Sequence, residues 1–286
     1  MKIETSAFAK INLGLHVRSV LSTGYHELES LVTFANIKDK IEVNPSKDLT
    51  LSITGPFAHA VPKDSTNIVI KAAKFLSPEG KAHIKLTKNL PVEAGLGGGS
   101  ADAAATLRSL SHLWEIPIPN YTETLGADVP VCLQSQTAIM KGIGEKITPV
   151  VIPENLKIIL IKPKIGLSTK EIFNKLESKN NPEMPIFLGT KSPDIFFSHL
   201  RSLRNDLLNA SIYQAPVIKN IINFLKTQSG IKYTQMSGSG TTCFGLFDNS
   251  ENAKIAFENI TNNFPDMWCK NTQLINSGNN VQSKLF

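Results

Sequence analysis

Apolar and polar residues alternate near the start of the chain, between residues 7 and 18. One face carries Ala7, Ala9, Ile11, Leu13, Leu15 and Val17. The other face carries Lys10, Asn12, His16 and Arg18. A repeat of two residues is typical of a β-strand with one buried side. The pattern therefore predicts a half-buried strand, and Ser22-Thr23-Gly24 predicts the turn that follows it.

Other patterns predict the remaining elements of the first half of the chain. Short apolar runs predict strands at residues 31–34, 40–43, 49–53 and 83–87. Apolar residues at helical spacing predict helices at residues 67–76 and 100–114. Strands that follow one another across short turns favour an antiparallel sheet, against which the intervening helices pack.

A proline-flanked connection at residues 149–153 precedes the second half of the chain. The same criteria predict a strand at 158–161 and helices at 215–227 and 252–262. The stretch 175–194 is polar and interrupted by prolines, so we expect a loop there, and we expect a frayed tail from residue 276 onward. The sequence thus predicts two domains, 1–150 and 151–286.

The composition is that of a soluble globular protein. Hydrophobic residues make up 41% of the 286 positions and charged residues 19%, which is enough apolar material for a sizeable core. The chain contains no run of about 18 apolar residues of the kind that a membrane helix needs. Its first ten residues lack the apolar core of a signal peptide. We therefore expect a cytoplasmic protein that does not act on membranes.

The spacing of the cysteines and histidines and the net charge limit which metals and ligands the protein is expected to bind. Cys132, Cys243 and Cys269 are widely spaced and form no Cys-x-x-Cys motif, and the six histidines are scattered. This spacing favours reduced thiols and argues against a metal site built by the protein. The formal charge is +6, but the lysines are dispersed rather than clustered. A pocket for phosphorylated small molecules would also favour basic residues, so the charge alone does not indicate nucleic-acid binding.

A glycine-rich segment precedes the helix predicted at residues 100–114. It consists of Pro91, Val92, Glu93, Ala94, Gly95, Leu96, Gly97, Gly98, Gly99, Ser100 and Ala101. Glycines let consecutive backbone N–H groups point at one anion, and the unpaired N–H groups of a helix N-terminus add to the attraction. The segment therefore predicts a phosphate-binding loop, with Ser100 as the helix N-cap and Asp102 in the first turn.

Two other kinds of phosphate loop do not match this segment. A Walker A loop ends in Gly-Lys-Ser/Thr, and no lysine precedes Ser100. The dinucleotide-binding fingerprint requires its third glycine where Ser100 stands. A flexible glycine turn that merely joins two elements is the alternative at this point.

Asp128 and Lys10 are candidates for the chemistry beside this loop. Asp128 lies in Gly126-Ala127-Asp128-Val129-Pro130, where it is either a general base or the N-cap of the next helix. Lys10 is either a surface lysine or a charge that stabilises a developing oxyanion. A second glycine cluster consists of Ser237, Gly238, Ser239 and Gly240. That cluster predicts a loop that closes over phosphates or, equally, a tight hairpin.

Four segments in this order resemble the conserved blocks of the GHMP small-molecule kinases. They are Ala9-Lys10-Ile11-Asn12-Leu13, the glycine-rich loop, the block around Asp128 and the Ser237 to Gly240 cluster. Gly24-Tyr25-His26-Glu27-Leu28 and the run Gly97-Gly98-Gly99 resemble the branch whose acceptor is an alcohol that carries a cytidine diphosphate group. By themselves, Tyr25 and His26 are more simply interpreted as packing residues.

The resemblance implies an α+β fold and an ATP-dependent reaction. The expected fold combines an N-terminal domain similar to the second domain of ribosomal protein S5 with a ferredoxin-like C-terminal domain. ATP and the acceptor are expected to meet between the two domains. The resemblance also implies that Asp128 is the catalytic base, Lys10 its partner, and Pro91 to Ala101 the ATP loop, with Asn67 near adenine. The residues implied for the acceptor are Asn12, Tyr25, His26, Ile143, Thr169 and Phe173.

The loop departs from the wider family at Gly98 and Gly99, where hydroxyl side chains are common. Ser100 remains as a possible oxygen ligand, and we expect Mg²⁺ to arrive mainly on the ATP phosphates. The expected partner is a small molecule, and the protein is expected to be a monomer or a homodimer. The alternatives are a GHMP kinase for another alcohol and a nucleotide or RNA binder without catalytic activity.

Overall fold

The computed structural model describes residues 2–22 and 24–275 of the chain. Two predictions therefore fall outside the described residues, namely the tail from residue 276 and the Thr23 position of the turn. The elements are β1 (Ile3–Val20), β2 (His26–Asn44), β3 (Thr50–Thr54), α1 (Ile68–Leu76), β4 (His83–Thr87), α2 (Gly98–Trp114), α3 (Val129–Gln134), β5 (Ala138–Gly142), β6 (Lys146–Pro149), β7 (Lys157–Lys162), α4 (Thr169–Asn174), α5 (Pro193–Ser202), α6 (Leu208–Gln214), α7 (Val217–Lys226), β8 (Tyr233–Met236), β9 (Cys243–Phe247), α8 (Ser250–Asn263) and β10 (Trp268–Gln273). None of the helices in these described ranges has the length and apolar character needed to span a membrane.

Six strands from the first half of the chain form one sheet, in which β2 is central. Strand β2 pairs with β1 on one side, and with β4 and β5 at different points along its other side, all in antiparallel fashion. Strand β6 continues the sheet beyond β5, and β3 runs parallel to β4. The strands predicted at 31–34 and 40–43 are parts of β2 rather than separate strands. The predicted antiparallel sheet is therefore correct except at the β3–β4 pair.

Four strands from the second half form an antiparallel sheet in the order β10, β7, β9, β8. The strand predicted at 158–161 lies within β7, and the helices predicted at 215–227 and 252–262 correspond to α7 and α8. The described residues 175–192 contain neither helix nor strand, as their prolines indicate. The loop predicted at 175–194 ends two residues earlier, because Pro193 is the first residue of α5, a position that proline favours. The α+β class is confirmed, whereas the domain boundary at residue 150 stays a prediction.

Strand β1 contributes to three apolar clusters instead of presenting one continuous apolar face. Ala7 packs in the core of the first half, and Leu15 and Val17 pack in a core of the second half. Between them, Ala9, Ile11 and Leu13 join a core shared by both sheets, together with Ile158, Leu160, Phe196 and Phe244. Irregularities after Phe8, Asn12 and Val17 interrupt the pairing of β1 with β2 and redirect its side chains.

The polar face of β1 is also buried, which corrects the expectation of a half-buried strand. Lys10, Asn12 and His16 are only 4%, 3% and 0% exposed. The main-chain N–H of Lys10 donates to the carbonyl oxygen of Leu96, and that of Asn12 donates to the hydroxyl of Ser237. These bonds border the edge of β1, and on the polar face His16 Nε2 accepts from the main-chain N–H of Arg204. Segments far away in sequence thus surround this part of β1, and the alternation of residues along a strand carries no information about them.

Candidate active site

The glycine-rich loop leads from β4 into α2 through a tight bend. Gly97 is the N-cap residue of α2 with a φ of 60°, and Gly95 has a φ of 70°. A Cβ atom on Gly95 would lie 2.1 Å from the carbonyl oxygen of Ser237, a distance that excludes any side chain. Both the left-handed conformation and the close approach therefore require glycine. The free N–H groups of the first turn of α2 lie at the end of this loop.

Two predicted details of this helix are wrong. Gly97 rather than Ser100 is the N-cap, and Ser100 lies inside the first turn. Asp102 lies beyond the first turn, where it is buried and binds the ammonium group of Lys88 instead of interacting with the helix N-terminus. The physical reason is that Gly97 adopts the left-handed conformation without strain, so the helix begins immediately after it.

Lys10 and Asp128 form an ion pair beside this loop. Lys10 Nζ lies 2.6 Å from Asp128 Oδ2, and the two side chains are 5% and 29% exposed. A Cβ atom on Gly97 would lie 3.2 Å from Lys10 Cβ and 3.6 Å from Asp128 Oδ2. In the described chain, Asp128 stands at the N-cap position of α3 without a side-chain capping hydrogen bond. Lys10 is therefore not a surface lysine, and the Asp128 carboxylate is held by Lys10 rather than by α3.

The segment from Ser237 to Gly240 connects β8 to β9 and contacts the glycine-rich loop. The Ser237 hydroxyl donates to the carbonyl oxygen of Gly95 at 2.7 Å. Asn205 Nδ2 donates to the carbonyl oxygens of Met236 and Gly238, both at 2.8 Å. The segment is a connection between antiparallel strands that also contacts the glycine-rich loop, and its closing over phosphates stays a prediction.

A cavity of about 580 Å³ lies where these segments meet, within the range typical of small-molecule sites. The predicted site residues that line it are Lys10, Asn12, Asn67, Pro91, Val92, Glu93, Ala94, Gly95, Leu96, Gly97, Gly98, Gly99, Ser100, Asp128, Ile143, Thr169, Phe173, Gly238 and Ser239. The predicted residues outside this lining are Tyr25, His26, Ala101, Ser237 and Gly240. Most of the predicted site is therefore brought together around one space.

Four of the residues implied for the acceptor, Asn12, Ile143, Thr169 and Phe173, line this cavity. His26 stacks on Phe173 with ring centroids 4.8 Å apart, so it adjoins the lining without belonging to it. Thr169 Oγ1 lies 2.8 Å from Ser239 Oγ, and Tyr25 is 62% exposed. Burial, together with the charge of Lys179, lowers the pKa of His26 below its usual value. The imidazole is therefore neutral at pH 7 and can both donate and accept hydrogen bonds.

Two asparagines of the lining differ in how their amides are used. Asn67 caps α1, since its Oδ1 accepts from the N–H of Val69 and its Nδ2 donates to the carbonyl oxygen of Pro62. Asn12 Nδ2 donates to Ser30 Oγ at 2.8 Å. Its Oδ1 is buried without a hydrogen-bond partner among the described residues. Asn12 thus lines the cavity with a buried acceptor that no described residue uses, whereas Asn67 mainly supports the wall.

A buried ionic cluster below the loop was missed from the sequence. Lys88 Nζ lies 2.5 Å from Asp39 Oδ2 and 2.6 Å from Asp102 Oδ2, and all three side chains are almost fully buried. Burial raises the pKa of Asp102 to about 8. Burial opposes the charge of Lys88, but the two carboxylates keep its pKa above its usual value. The available signal was an aspartate within the alanine-rich, inward-facing run of α2.

The cysteines and possible metal ligands complete the description of the site. Cys132 and Cys243 are buried, Cys269 is partly buried, and burial raises the pKa of all three thiols. Within residues 2–22 and 24–275, no group of three or more histidine, cysteine, aspartate or glutamate side chains is arranged to hold a metal ion.

Comparison with known proteins identifies the family. The profile of the GHMP kinases N terminal domain matches residues 67–136, and that of the GHMP kinases C terminal domain matches residues 194–266. The chain is 43% identical over 283 residues to a protein of Ruegeria pomeroyi named 4-diphosphocytidyl-2-C-methyl-D-erythritol kinase, covering 96% of this chain and 100% of the relative. It is 42% identical to the protein of the same name from Jannaschia sp., covering 91% and 92%.

Solved structures give the same result. A crystal structure of 4-(cytidine 5'-diphospho)-2C-methyl-D-erythritol kinase superposes with a TM-score of 0.75 at 28% identity, covering 95% of this chain and 98% of the other. Homoserine kinase from Cytophaga hutchinsonii has a TM-score of 0.72 at 18% identity, with 96% and 95% covered, and this likeness shows the fold alone. The chain therefore belongs to the GHMP kinase family, in the branch that contains the 4-diphosphocytidyl-2-C-methyl-D-erythritol kinases.

Proposed function

We propose that this chain transfers the γ-phosphoryl group of ATP to the 2-hydroxyl group of 4-diphosphocytidyl-2-C-methyl-D-erythritol, a step of the non-mevalonate isoprenoid pathway. The observation that carries the proposal is the ion pair of 2.6 Å between Lys10 and Asp128, which lines the same cavity as the glycine-rich loop. The relatives that bear the name of this kinase match the chain over nearly its whole length, which supports the choice of acceptor.

The loop residues would bind the phosphates of ATP. The left-handed glycines Gly95 and Gly97 and the first turn of α2 line the cavity, and we infer that their free main-chain N–H groups would face the phosphates there. Phosphoryl transfer passes through a loose transition state whose charge lies on the peripheral oxygens. Fixed N–H donors stabilise that charge without having to reorganise during the reaction. Asn67 remains near adenine in this proposal, as part of the wall formed by residues 66–68.

Asp128 would accept the proton of the attacking hydroxyl group. Its Oδ2 is held by Lys10, so we assign the proton to Oδ1. Lys10 fixes the carboxylate and stabilises the negative charge that develops on the attacking oxygen. Asn12, whose Oδ1 has a free acceptor position in the described structure, would bind a hydroxyl of the acceptor next to the reacting one.

Mg²⁺ would be held mainly by the ATP phosphates. The cavity offers it the Ser100 hydroxyl and the Glu93 carboxylate, both of which are hard oxygen donors. This sparse donor set suits an ion that keeps most of its water and phosphate ligands. When bound, the ion would neutralise charge on the transferred phosphoryl group.

The cytidine group would bind beside Phe173. The ring pair of Phe173 and His26 offers a stacking surface and hydrogen-bonding nitrogens, and aromatic rings together with polar atoms are the usual means of binding a base. The exposed ring of Tyr25 is available to cover the base, with Ile143 and Thr169 on the cavity wall. We further infer a cytoplasmic enzyme, monomeric or homodimeric, with domains at 1–150 and 151–286.

The proposal is tested by measuring ADP release with the cytidyl alcohol, mevalonate and homoserine as candidate acceptors. We expect turnover with the first alone, and we expect cytidine nucleotides to compete with it but not with ATP. Turnover with another alcohol and no competition by cytidine nucleotides would identify a different GHMP kinase. If ATP is not consumed with any acceptor while RNA binds in a salt-sensitive manner, the protein is a binder instead of an enzyme.

A further inference from the structure

A buried arginine on α2 connects the elements that carry the proposed chemistry. Arg108 is 8% exposed. Its Nη1 donates to the carbonyl oxygens of Cys132 at 2.9 Å and Leu133 at 3.1 Å, and its Nη2 donates to the carbonyl oxygen of Ser6 at 2.9 Å. One guanidinium group therefore joins α2 to both α3 and β1.

Each of these elements supplies one part of the site. Helix α2 begins at the glycine-rich loop, α3 begins directly after Asp128, and β1 carries Lys10 shortly after Ser6. The N–H of Cys132 donates to the carbonyl oxygen of Asp128 at 3.1 Å. The carbonyl groups that Arg108 binds are thus one helical turn away from Asp128.

Helix α3 depends on such external support. It contains only six residues, fewer than a helix needs to be stable on its own. Its last carbonyl groups form the negative end of the helix dipole, which attracts a cation. The planar fork of an arginine can bind several carbonyl oxygens in a fixed geometry, whereas an ammonium group cannot. The guanidinium group is therefore suited to fixing the direction of α3.

The charge of Arg108 is directed at the main chain. Burial lowers its pKa to about 10, so the group is still protonated at neutral pH. In the described part of the chain no carboxylate forms an ion pair with it, and its Nε has no hydrogen-bond partner. Burying a cation in this way is costly. An apolar side chain would fill the space at less cost, but it would leave the carbonyl oxygen of Leu133 without this donor and, among the described residues, α3 held at Cys132 only by the hydroxyl of Ser135 from its own end.

We propose that Arg108 is a positioning residue, which holds α3 against α2 and β1 so that the Asp128 carboxylate stays next to Lys10 and the loop. The proposal rests on the proposed function, because Arg108 acts through Asp128 and does not touch the substrates. Arg108 is then expected to affect turnover although it contacts neither ATP nor the acceptor.

Steady-state kinetics of Arg108→Met test the proposal. We expect kcat to fall roughly 10- to 100-fold, the cost of a displacement of about 1 Å, with KM for ATP and for the acceptor changed less than about twofold. Leu110→Ala is the matched control, since Leu110 lies on the same helix and is fully buried in the core of the first half. It is expected to lower the stability but to leave kcat unchanged where the protein is folded.

A double-mutant cycle with Asp128→Asn separates positioning from general destabilisation. If Arg108 acts through the carboxylate, Arg108→Met changes kcat less than about twofold in the Asp128→Asn background. An equal fall in both backgrounds, or an unchanged kcat in the single variant, overturns the proposal. If Arg108→Met does not fold, the same double-mutant cycle is measured with Arg108→Lys. That variant keeps the positive charge but loses the planar guanidinium group. Failure of the proposed function would appear instead as normal turnover of Asp128→Asn or an inactive wild type.

Discussion

Charged side chains at this site are bound to one another rather than to water. Lys10 binds Asp128 beside the loop, and Lys88 binds Asp39 below it. Buried ion pairs add little to stability compared with apolar packing, because desolvation offsets the attraction. Their presence on both sides of one loop is therefore better explained by chemistry and positioning than by stability.

Asp128→Asn tests the role of the carboxylate. The amide cannot accept the proton, so turnover is expected to fall roughly 10²- to 10⁴-fold, the usual contribution of a general base. ATP binding, measured by titration of the free enzyme, is expected to remain nearly unchanged because the loop is intact. Lys10→Met, the partner variant, is expected to lower turnover as well. Normal turnover of Asp128→Asn would mean that Asp128 serves only as the residue before α3.

Asp102 predicts a pH dependence of stability. In the folded protein its pKa is about 8, against 3.8 as the ordinary value. Between these values the folded state keeps a proton that the unfolded state releases, so the contribution of Asp102 to the free energy of unfolding falls as the pH rises towards 8. Burial lowers the pKa of His16 to about 4, which gives the opposite slope below pH 6.5, so the fall is measured between pH 6.5 and pH 8. The slope is at most about 1.4 kcal/mol per pH unit, the value for one proton. Above pH 8 this contribution no longer changes.

Urea unfolding of Asp102→Asn between pH 5 and pH 9 measures this effect. The amide has no proton to release, so the variant is expected to lose the slope while keeping the fold. Asp48→Asn, a change at an exposed position, is the control and is expected to keep the wild-type slope. Equal slopes in all three proteins would show that Asp102 is ionised in the folded state.

The glycine-rich loop and the 237–240 segment support each other as elements. The Ser237 hydroxyl and the close approach of Gly95 hold the two segments together. The glycine-rich loop lies between β4 and α2 in the first half of the chain, and the 237–240 segment connects β8 to β9 in the second half. The phosphate site therefore depends on a contact between distant parts of the sequence.

Gly95→Ala is expected to break that contact. The added Cβ would lie 2.1 Å from the Ser237 carbonyl oxygen at a φ of 70°, so one of the two segments must move. We expect a loss of stability of at least about 1 kcal/mol from the backbone alone, and a rise in KM for ATP. Gly24→Ala is the control, since Gly24 has a φ of 84° but a Cβ there meets no described atom within 4 Å. An unchanged KM for ATP in Gly95→Ala would contradict this account of the loop.

In the whole molecule, the cavity depends on how the two sheets pack. Ile11 from β1 and Leu160 from β7 lie in the core shared by the sheets, directly behind Lys10 and Asn12. Phe173 and Ser239 from the second half complete the cavity whose loop comes from the first half. Two ligands bound there would contact both halves, so each is expected to stabilise the folded protein.

Phe173→Ala tests the assignment of the two ligands within this space. Loss of one stacking ring is expected to raise KM for the cytidyl alcohol about tenfold, in line with the energy of stacking a base on an aromatic ring. The increase in melting temperature caused by cytidine diphosphate is expected to shrink, while that caused by an ATP analogue stays. Phe224→Ala removes a ring from an aromatic pair elsewhere and is expected to lower stability alone. A lower affinity of Phe173→Ala for the ATP analogue, with unchanged affinity for cytidine diphosphate, would mean that Phe173 contacts ATP rather than the acceptor.

Local patterns in the sequence determine strands β1 to β4 and β7, four of the longer helices and the composition of the glycine-rich loop, whereas β5, β6, β8, β9, β10 and α5 were not predicted. Helices α1, α2, α7 and α8 have apolar spacing that is independent of the rest of the chain, so they were predicted within a few residues. The resemblance of four motifs to the GHMP kinases implies that Lys10, Asp128 and the loop belong to one site, although it does not give their distances. The sequence indicates a helix start directly after Asp128, but not that α3 ends after six residues or how it packs, because its stability comes from contacts such as those of Arg108.

The tertiary structure alone decides the environment of each polar group. From the sequence alone, Lys10 can also be interpreted as a surface lysine, Asp128 as a helix cap and Ser100 as an N-cap, because the same residue types occur in these roles. Pairing of Lys10 with Asp128, burial of Asp102 with Lys88, and contact of Gly95 with Ser237 all join residues far apart in the chain. Hydrophobic periodicity specifies which face of an element is apolar, but charge pairing and pKa depend on which distant segment covers the other face.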